Sequence, residues 1–463
     1  LTIIGAGLAG SEAAWQAAGR GVEVTLYEMR PIRRTPVHRT DRLAELVCSN
    51  SFRGDNLENA VGLLKAEMRR LDSLVMRVAD ETSVPAGSAL AVDRDRFAKA
   101  ITVALEGHPL VTIRREEVCQ IPDFDDPKTP FIIATGPLTS DRLSANITAL
   151  VGQEQLFFFD AISPIVHASS IDRDVVFRAS RRGRHSALVD GREGGAPVGD
   201  YLNCPMDKIE YERFYQALTG AELTEAHDFD RTPFFEGCLP VEVMAHRGID
   251  TLRFGPMKPV GLTDPRTGHR SHAVVQLRQD TLAGDHFSLV GFQTQLRQGE
   301  QARVFRLIPG LEEAEFVRFG MIHRNTYING PTVLRPTWQA RPQPSVFFAG
   351  QISGVEGYVE SAASGLIAGL NAAALARGEL PQAPPRTTAI GALGHYVSHA
   401  DPTNYQPSNI AFGLIPVVEG GPRRRSERRR AVAERALLQI DEWRLSLSGT
   451  SNETDANALA LLS

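Results

Sequence analysis

Six residues, Gly5-Ala6-Gly7-Leu8-Ala9-Gly10, constrain this chain more than any other stretch of it. They follow Thr2-Ile3-Ile4, a β-rich apolar run, and lead into Ser11-Glu12-Ala13-Ala14-Trp15-Gln16-Ala17-Ala18, which is rich in strong helix formers. Gly19 and Gly21 suit the end of that helix. Val22 to Tyr27 then alternates as a second strand and ends on Glu28. Residues 1–28 therefore read as strand, tight turn, helix, strand. Gly5 permits the turn, Gly7 lets the backbone approach a pyrophosphate, and Gly10 lets the helix pack close to the strand. The helix start offers free N–H groups and its positive dipole end to phosphates. Glu28 stands near the offset at which an acid meets ribose hydroxyls. Ala6, Leu8 and Ala9 complete the predicted contact set. The expected fold class is α/β, built on a Rossmann-type dinucleotide fold.

Two later segments point to FAD. Phe131-Ile132-Ile133 runs into Ala134-Thr135-Gly136, a strand end resembling the one beside the nucleotide in two-dinucleotide-fold flavoproteins. Ser345-Val346-Phe347-Phe348-Ala349 runs into Gly350-Gln351, then Gly357-Tyr358 and a small-residue helix over 360–369. There a helix start would face the isoalloxazine edge, with Glu356 and Tyr358 near the ring. The alternative is that its small residues only let a helix pack tightly on a sheet. Gly194–Gly199 contains a proline and reads as a loop.

The FAD domain is thus expected to be discontinuous: 1–195, then 336–445, with an inserted α+β substrate domain over 196–335 and a flexible tail over 446–463. Within the insert, Tyr211–Leu218 predicts a helix. Leu252–Phe254, Ala273–Leu277 and Phe287–Phe292 predict strands. Pro381–Pro385 reads as a loop.

Of the 463 residues, 42% are hydrophobic and 23% charged, which suits a globular chain. No run approaches the roughly 20 apolar residues of a bilayer span, so no membrane association is expected. The net charge of −5 excludes bulk attraction to nucleic acid but not a local basic face. Two such clusters exist: Arg178, Arg181, Arg182 and Arg184; and Arg423, Arg424, Arg425, Arg428, Arg429 and Arg430, which enter a helix ending at Trp443. Each is either a phosphate contact or a solvated face. Cys48, Cys119, Cys204 and Cys238 lie far apart without a CxxC, which predicts free thiols, a cytoplasmic setting and no metal. Cys119 reads as a strand core residue and Cys204 as structural. Cys48 precedes Ser49-Asn50-Ser51, good helix N-caps, and Arg53; a helix start and a cation would both lower its pKa.

Several segments together resemble the bacterial folate- and FAD-dependent tRNA uracil-5 methyltransferases over nearly the whole chain. They are Val47-Cys48-Ser49-Asn50-Ser51-Phe52-Arg53, Pro85 to Arg94, Phe235-Glu236-Gly237-Cys238-Leu239-Pro240, His323 to Asn329, Gly350 to Tyr358, and Gln406 to Gly413. The GidA-type wobble-uridine flavoproteins share the N-terminal turn and a similar Gly-Gln segment. The resemblance implies that 5,10-methylenetetrahydrofolate supplies a carbon to C5 of a uridine, at position 54 of the tRNA T-loop. FAD carries reducing equivalents from NADH or NADPH, and no obligatory protein partner is needed. It also implies a thiolate adding to C6, because C5 alone is a poor nucleophile. Cys238 is expected as that nucleophile and Cys48 as the acid/base partner near the flavin; the sequence leaves the two roles exchangeable. Tyr327 and Asn329 are expected near folate or flavin. Other readings are a GidA-type component, a small-molecule flavin oxidoreductase and a non-catalytic RNA-binding flavoprotein.

Overall fold

A computed structural model describes residues 1–121, 129–152, 156–181, 199–224, 234 and 239–449. Cys238, Arg182, Arg184 and residues 194–198 lie outside the described residues.

The N-terminal unit forms as its pattern dictates. Strands Thr2–Ile4 and Val24–Glu28 flank helix Leu8–Ala18. They belong to a five-stranded sheet in the order Val346–Phe348, Phe131–Ile133, Thr2–Ile4, Val24–Glu28, Val111–Arg115. All its pairings are parallel, with Ile3 registered between Ile132 and Leu26. Both faces of the middle strands are covered, which is why they read as continuous apolar runs. The chain leaves this sheet after Phe131–Ile133 and returns more than two hundred residues later to add Val346–Phe348 beside it. The sheet is therefore discontinuous in sequence, as expected.

Helix Tyr358–Ala376 packs chiefly on another helix. A Cβ at Gly365 would stand 2.1 Å from the Ala9 carbonyl oxygen, and one at Gly369 would stand 2.5 Å from that of Ala13. The small residues thus let it touch helix Leu8–Ala18 backbone to backbone. By length and composition this helix could cross a membrane, although no run of that kind was expected; 78% of its most apolar window is buried inside the protein.

A second body carries a six-stranded antiparallel sheet in the order Phe177–Ala179, Tyr201–Met206, Ala273–Gln279, His286–Leu289, Ile165–His167, Phe316–Arg318. Its core includes Val166, Ile171 and Val176. The body therefore begins well before residue 196, because strands from 165–179 pair into the sheet. Helix Lys208–Thr219 starts on a capping box made by Asp207 and Glu210. Residues Thr251–Phe254 form a short helix where a strand was expected. Leu252 is fully buried there, and three apolar-flanked residues carry too little periodicity to separate the two.

Two connecting strands, Leu156–Ala161 and Ile322–Tyr327, pair antiparallel between the bodies. Cys204 is buried mid-strand, as expected. Cys119 lies instead in the loop after Val111–Arg115, half-buried, because that edge strand ends four residues earlier. Helix Arg425–Gly449 runs past Trp443, so residues 446–449 are helical where fraying was expected. Ile440, Trp443 and Leu447 hold it on the first core.

Candidate active site

The carboxyl ends of the parallel strands open into a cavity of about 460 Å3. Open α/β sheets place ligands at this end. Gly5, Ala6, Gly7, Leu8, Ala9 and Glu28 line one part of it. Ala134, Thr135 and Gly136 line the facing wall, and Gly350, Gln351, Gly357 and Tyr358 line the far end. Gly10 is the one predicted contact residue that does not. A Cβ there would meet the Gly5 carbonyl oxygen at 1.8 Å, so Gly10 serves the packing of helix on turn. A Cβ at Gly7 would meet no protein atom within 4 Å, and no side chain caps the helix that begins after it. An open approach to uncapped N–H groups fits a pyrophosphate, so the residues present fit the ADP half of FAD.

Glu28 is more engaged than its spacing suggested. Its carboxylate accepts from the Ala6 amide at 3.3 Å and forms a buried ion pair with Arg30 at 2.8 Å. Burial alone would raise its pKa, but the bonds and charge of Arg30 outweigh that and lower it.

Cys48 lines the same cavity, some 40 residues along the chain from the glycines. No helix follows it: Ser51–Gly54 is a strand paired with Ala89–Val92. Arg53, in a left-handed backbone conformation (φ 62°), turns to Glu360 and not to the thiol. Tyr358 holds the Cys48 loop, its hydroxyl accepting from the Cys48 amide at 2.8 Å and the Ser49 amide at 3.2 Å. The start of helix Tyr358–Ala376 and the thiol are thereby fixed to each other.

The expected lowering of the Cys48 pKa does not occur. Burial, then the Asp160 charge, push the thiol up to about 12, against the pull of Arg94 and Arg318. With no helix terminus at the sulfur and the Asp160 charge acting on it, Cys48 stands as a protonated thiol at neutral pH.

Sequence reasoning missed the groups around that thiol. Asp160 comes from a connecting strand, Arg94 from a helix start, and Arg278 and Arg318 from the second sheet. Arg94 bonds the Cys48 carbonyl at 3.1 Å and pairs with Asp280 at 2.8 Å. Arg278 bonds Asn50 and Ser49, each at 2.8 Å. Arg318 is buried, with Nε and Nη2 lacking a hydrogen-bond partner among the described residues. No local spacing joins these positions, so only the closure of the second body on the first could reveal them.

Tyr327 and Asn329 do not reach the cavity. The Tyr327 hydroxyl bonds the Tyr405 carbonyl and the Asn329 side-chain amide bonds that of Pro402. Glu356 does line the cavity, with Gln351 donating to its Oε2. Of the basic clusters, Arg178 is exposed while Arg181 is held by Gln276 and the Val260 carbonyl. In the C-terminal cluster Arg423, Arg424, Arg425, Arg428 and Arg430 are exposed, and Arg429 stacks on Phe412.

The family model described as glucose inhibited division protein A matches residues 1–380. A relative from Pelotomaculum thermopropionicum, named methylenetetrahydrofolate--tRNA-(uracil-5-)-methyltransferase TrmFO, is 58% identical over 447 residues, 96% of this chain and 99% of its own. The chain belongs to the TrmFO family. A TrmFO relative from Enterococcus faecalis is 54% identical, covering 94% of this chain and 97% of its own. Among solved structures, GidA from Aquifex aeolicus in its form II crystal superposes with a TM-score of 0.69 at 18% identity, covering 96% of this chain and 73% of that one. TrmFO and GidA chains thus share this two-body fold.

Proposed function

We propose that this chain methylates C5 of a tRNA uridine with the carbon of methylenetetrahydrofolate, using bound FAD reduced by NADH or NADPH. The observation that carries the reading is the single cavity that joins the Gly5–Gly10 turn to Cys48. Full-length likeness to relatives named for this reaction supports it. When bound, FAD supplies the reducing equivalents. The chain's own residues bind and orient: the turn takes the pyrophosphate, Glu28 presents its carboxylate beside the Ala6 amide, and Tyr358 fixes the Cys48 loop against the flavin-edge helix.

Cys238 is the proposed nucleophile at uracil C6 and Cys48 the acid/base partner. A thiol held protonated is a weak nucleophile, which disfavours Cys48 for the attack at C6. The acceptor is the T-loop uridine 54, which must leave its stack to reach a buried site. The exposed arginines at 423–430 are proposed to hold the T-arm phosphates, which makes binding fall with salt. The reading needs no partner protein and places the reaction in the cytoplasm.

The test is transfer of label from the methylene carbon into unmodified tRNA. Wild type incorporates label, and Cys238→Ala and Cys48→Ala do not. Full incorporation by Cys238→Ala would remove the covalent step. A GidA-type reading, favoured by the shared fold, predicts no label in the T-loop from any of the three proteins.

A further inference from the structure

Glu356 is a cavity group that the reading above leaves without a task. It precedes helix Tyr358–Ala376, is only 6% exposed, and lines the cavity together with Cys48 and Asp160. Its backbone is fixed on both sides: its amide donates to the Ser408 carbonyl at 3.0 Å, and its carbonyl accepts from the Asn409 side chain at 2.5 Å. Gln351 donates to Oε2. Oε1 has no hydrogen bond among the described residues and is not sealed from the cavity.

The charges facing it are Asp160 from the connecting strand, Glu360 from the following helix and Arg53 from strand Ser51–Gly54, with the Cys48 thiol nearby. Arg53 is already committed to Glu360, so it neutralises that acid first. Burial, then the Asp160 charge, push Glu356 up to about 8. Asp160 lines the same cavity, and a second acid close by disfavours the charged form of Glu356 as burial does. Glu356 keeps its proton at neutral pH.

We propose that Glu356 is the proton donor of this cavity, its Oε1 protonating the folate nitrogen that departs as the methylene bridge opens. The assignment rests on the proposed reaction. In that step a C–N bond of the bridge breaks and its electron pair stays on the departing nitrogen. The proton passes from Oε1 to that nitrogen. The carbon is left double-bonded to the other nitrogen as an iminium, and Glu356 becomes a carboxylate. No oxidant or reductant takes part. A donor of this kind must have its pKa near the working pH.

The first test needs no turnover. In an infrared pH titration of the flavin-loaded protein, the wild-type minus Glu356→Gln difference spectrum should show the carbonyl stretch of one protonated carboxylic acid at pH 7, set apart from buried acids such as Glu67 and Glu242 that are common to both. The difference band should fade as pH rises through about 8. No difference band at neutral pH overturns the assignment. The second test is single-turnover label transfer. Glu356→Gln should slow it by about 10²–10⁴-fold, and Glu356→Asp should recover part of the rate. Equal rates in wild type and Glu356→Gln overturn the donor role. A wild type that shows the band but transfers no label overturns the reaction itself, and with it the folate nitrogen as acceptor.

Discussion

Gly7 and Gly10 sit in one turn for different reasons, and substitution separates them. Gly10→Ala drives a methyl group into the Gly5 carbonyl, so turn and helix must part. We expect a loss of at least about 1–3 kcal/mol and a protein that purifies colourless. Gly7→Ala meets no protein atom, so the flavin-free protein should unfold at the wild-type temperature. Its methyl stands where the pyrophosphate approaches, and flavin affinity should drop. Flavin content by absorbance and Tm by calorimetry read the two effects. Cys48 gives a second prediction at this scale. A thiol held near 12 in place of the ordinary 8.5 carries about 10³-fold less thiolate at neutral pH. Iodoacetamide should therefore modify Cys48 in the flavin-free protein about 10³-fold more slowly than an exposed cysteine. Labelling at the exposed rate would show that the burial assigned to this thiol is wrong. The glycines were legible from sequence because their reasons are local. The state of Cys48 was not: its neighbours in the chain suggested a helix cap and a cation, while in space the half-buried thiol meets the Asp160 charge and the cavity wall.

Helices here are held as much by other elements as by their own sequences. Helix Ala389–His399 begins on Thr388, which caps it, and Glu67 from helix Ala60–Arg70 accepts from the Ala389 and Ile390 amides at 2.7 and 2.8 Å. Glu67→Ala leaves two buried amides without that acceptor, at about 1–3 kcal/mol each; urea denaturation should show the loss, and an unchanged midpoint would deny the cap. Gly365→Ala pushes helix Tyr358–Ala376 away from the Ala9 backbone. Tyr358 and the Cys48 loop move with it, so this change should lower flavin affinity as well as stability. The long apolar helix was legible as an element, since its composition favours no other structure. The short helix Thr251–Phe254 was not, because Leu252 is buried by tertiary contact that three residues cannot announce.

At the scale of the molecule, two bodies close over one cavity and a few buried polar bonds fix the closure. Arg94 and Asp280 form an ion pair across it, with side chains 14% and 6% exposed. Removing one member leaves the other charge buried. Asp280→Ala should cost roughly 3–5 kcal/mol and weaken Cys48 positioning, because the same guanidinium bonds the Cys48 carbonyl. The discontinuous nucleotide fold was legible from its glycines and apolar strands. The insertion's start was not, since Ile165–His167 and Phe177–Ala179 are short strands that only the assembled sheet assigns to the second body. The measurement that tests the account most directly is the fate of the folate carbon. Unmodified tRNA would be incubated with the protein, NADH or NADPH, and methylenetetrahydrofolate labelled in its methylene carbon. Label should appear in 5-methyluridine at T-loop position 54, and none should come from labelled S-adenosylmethionine. Unlabelled RNA, with the flavin bound and reducible, would contradict the account.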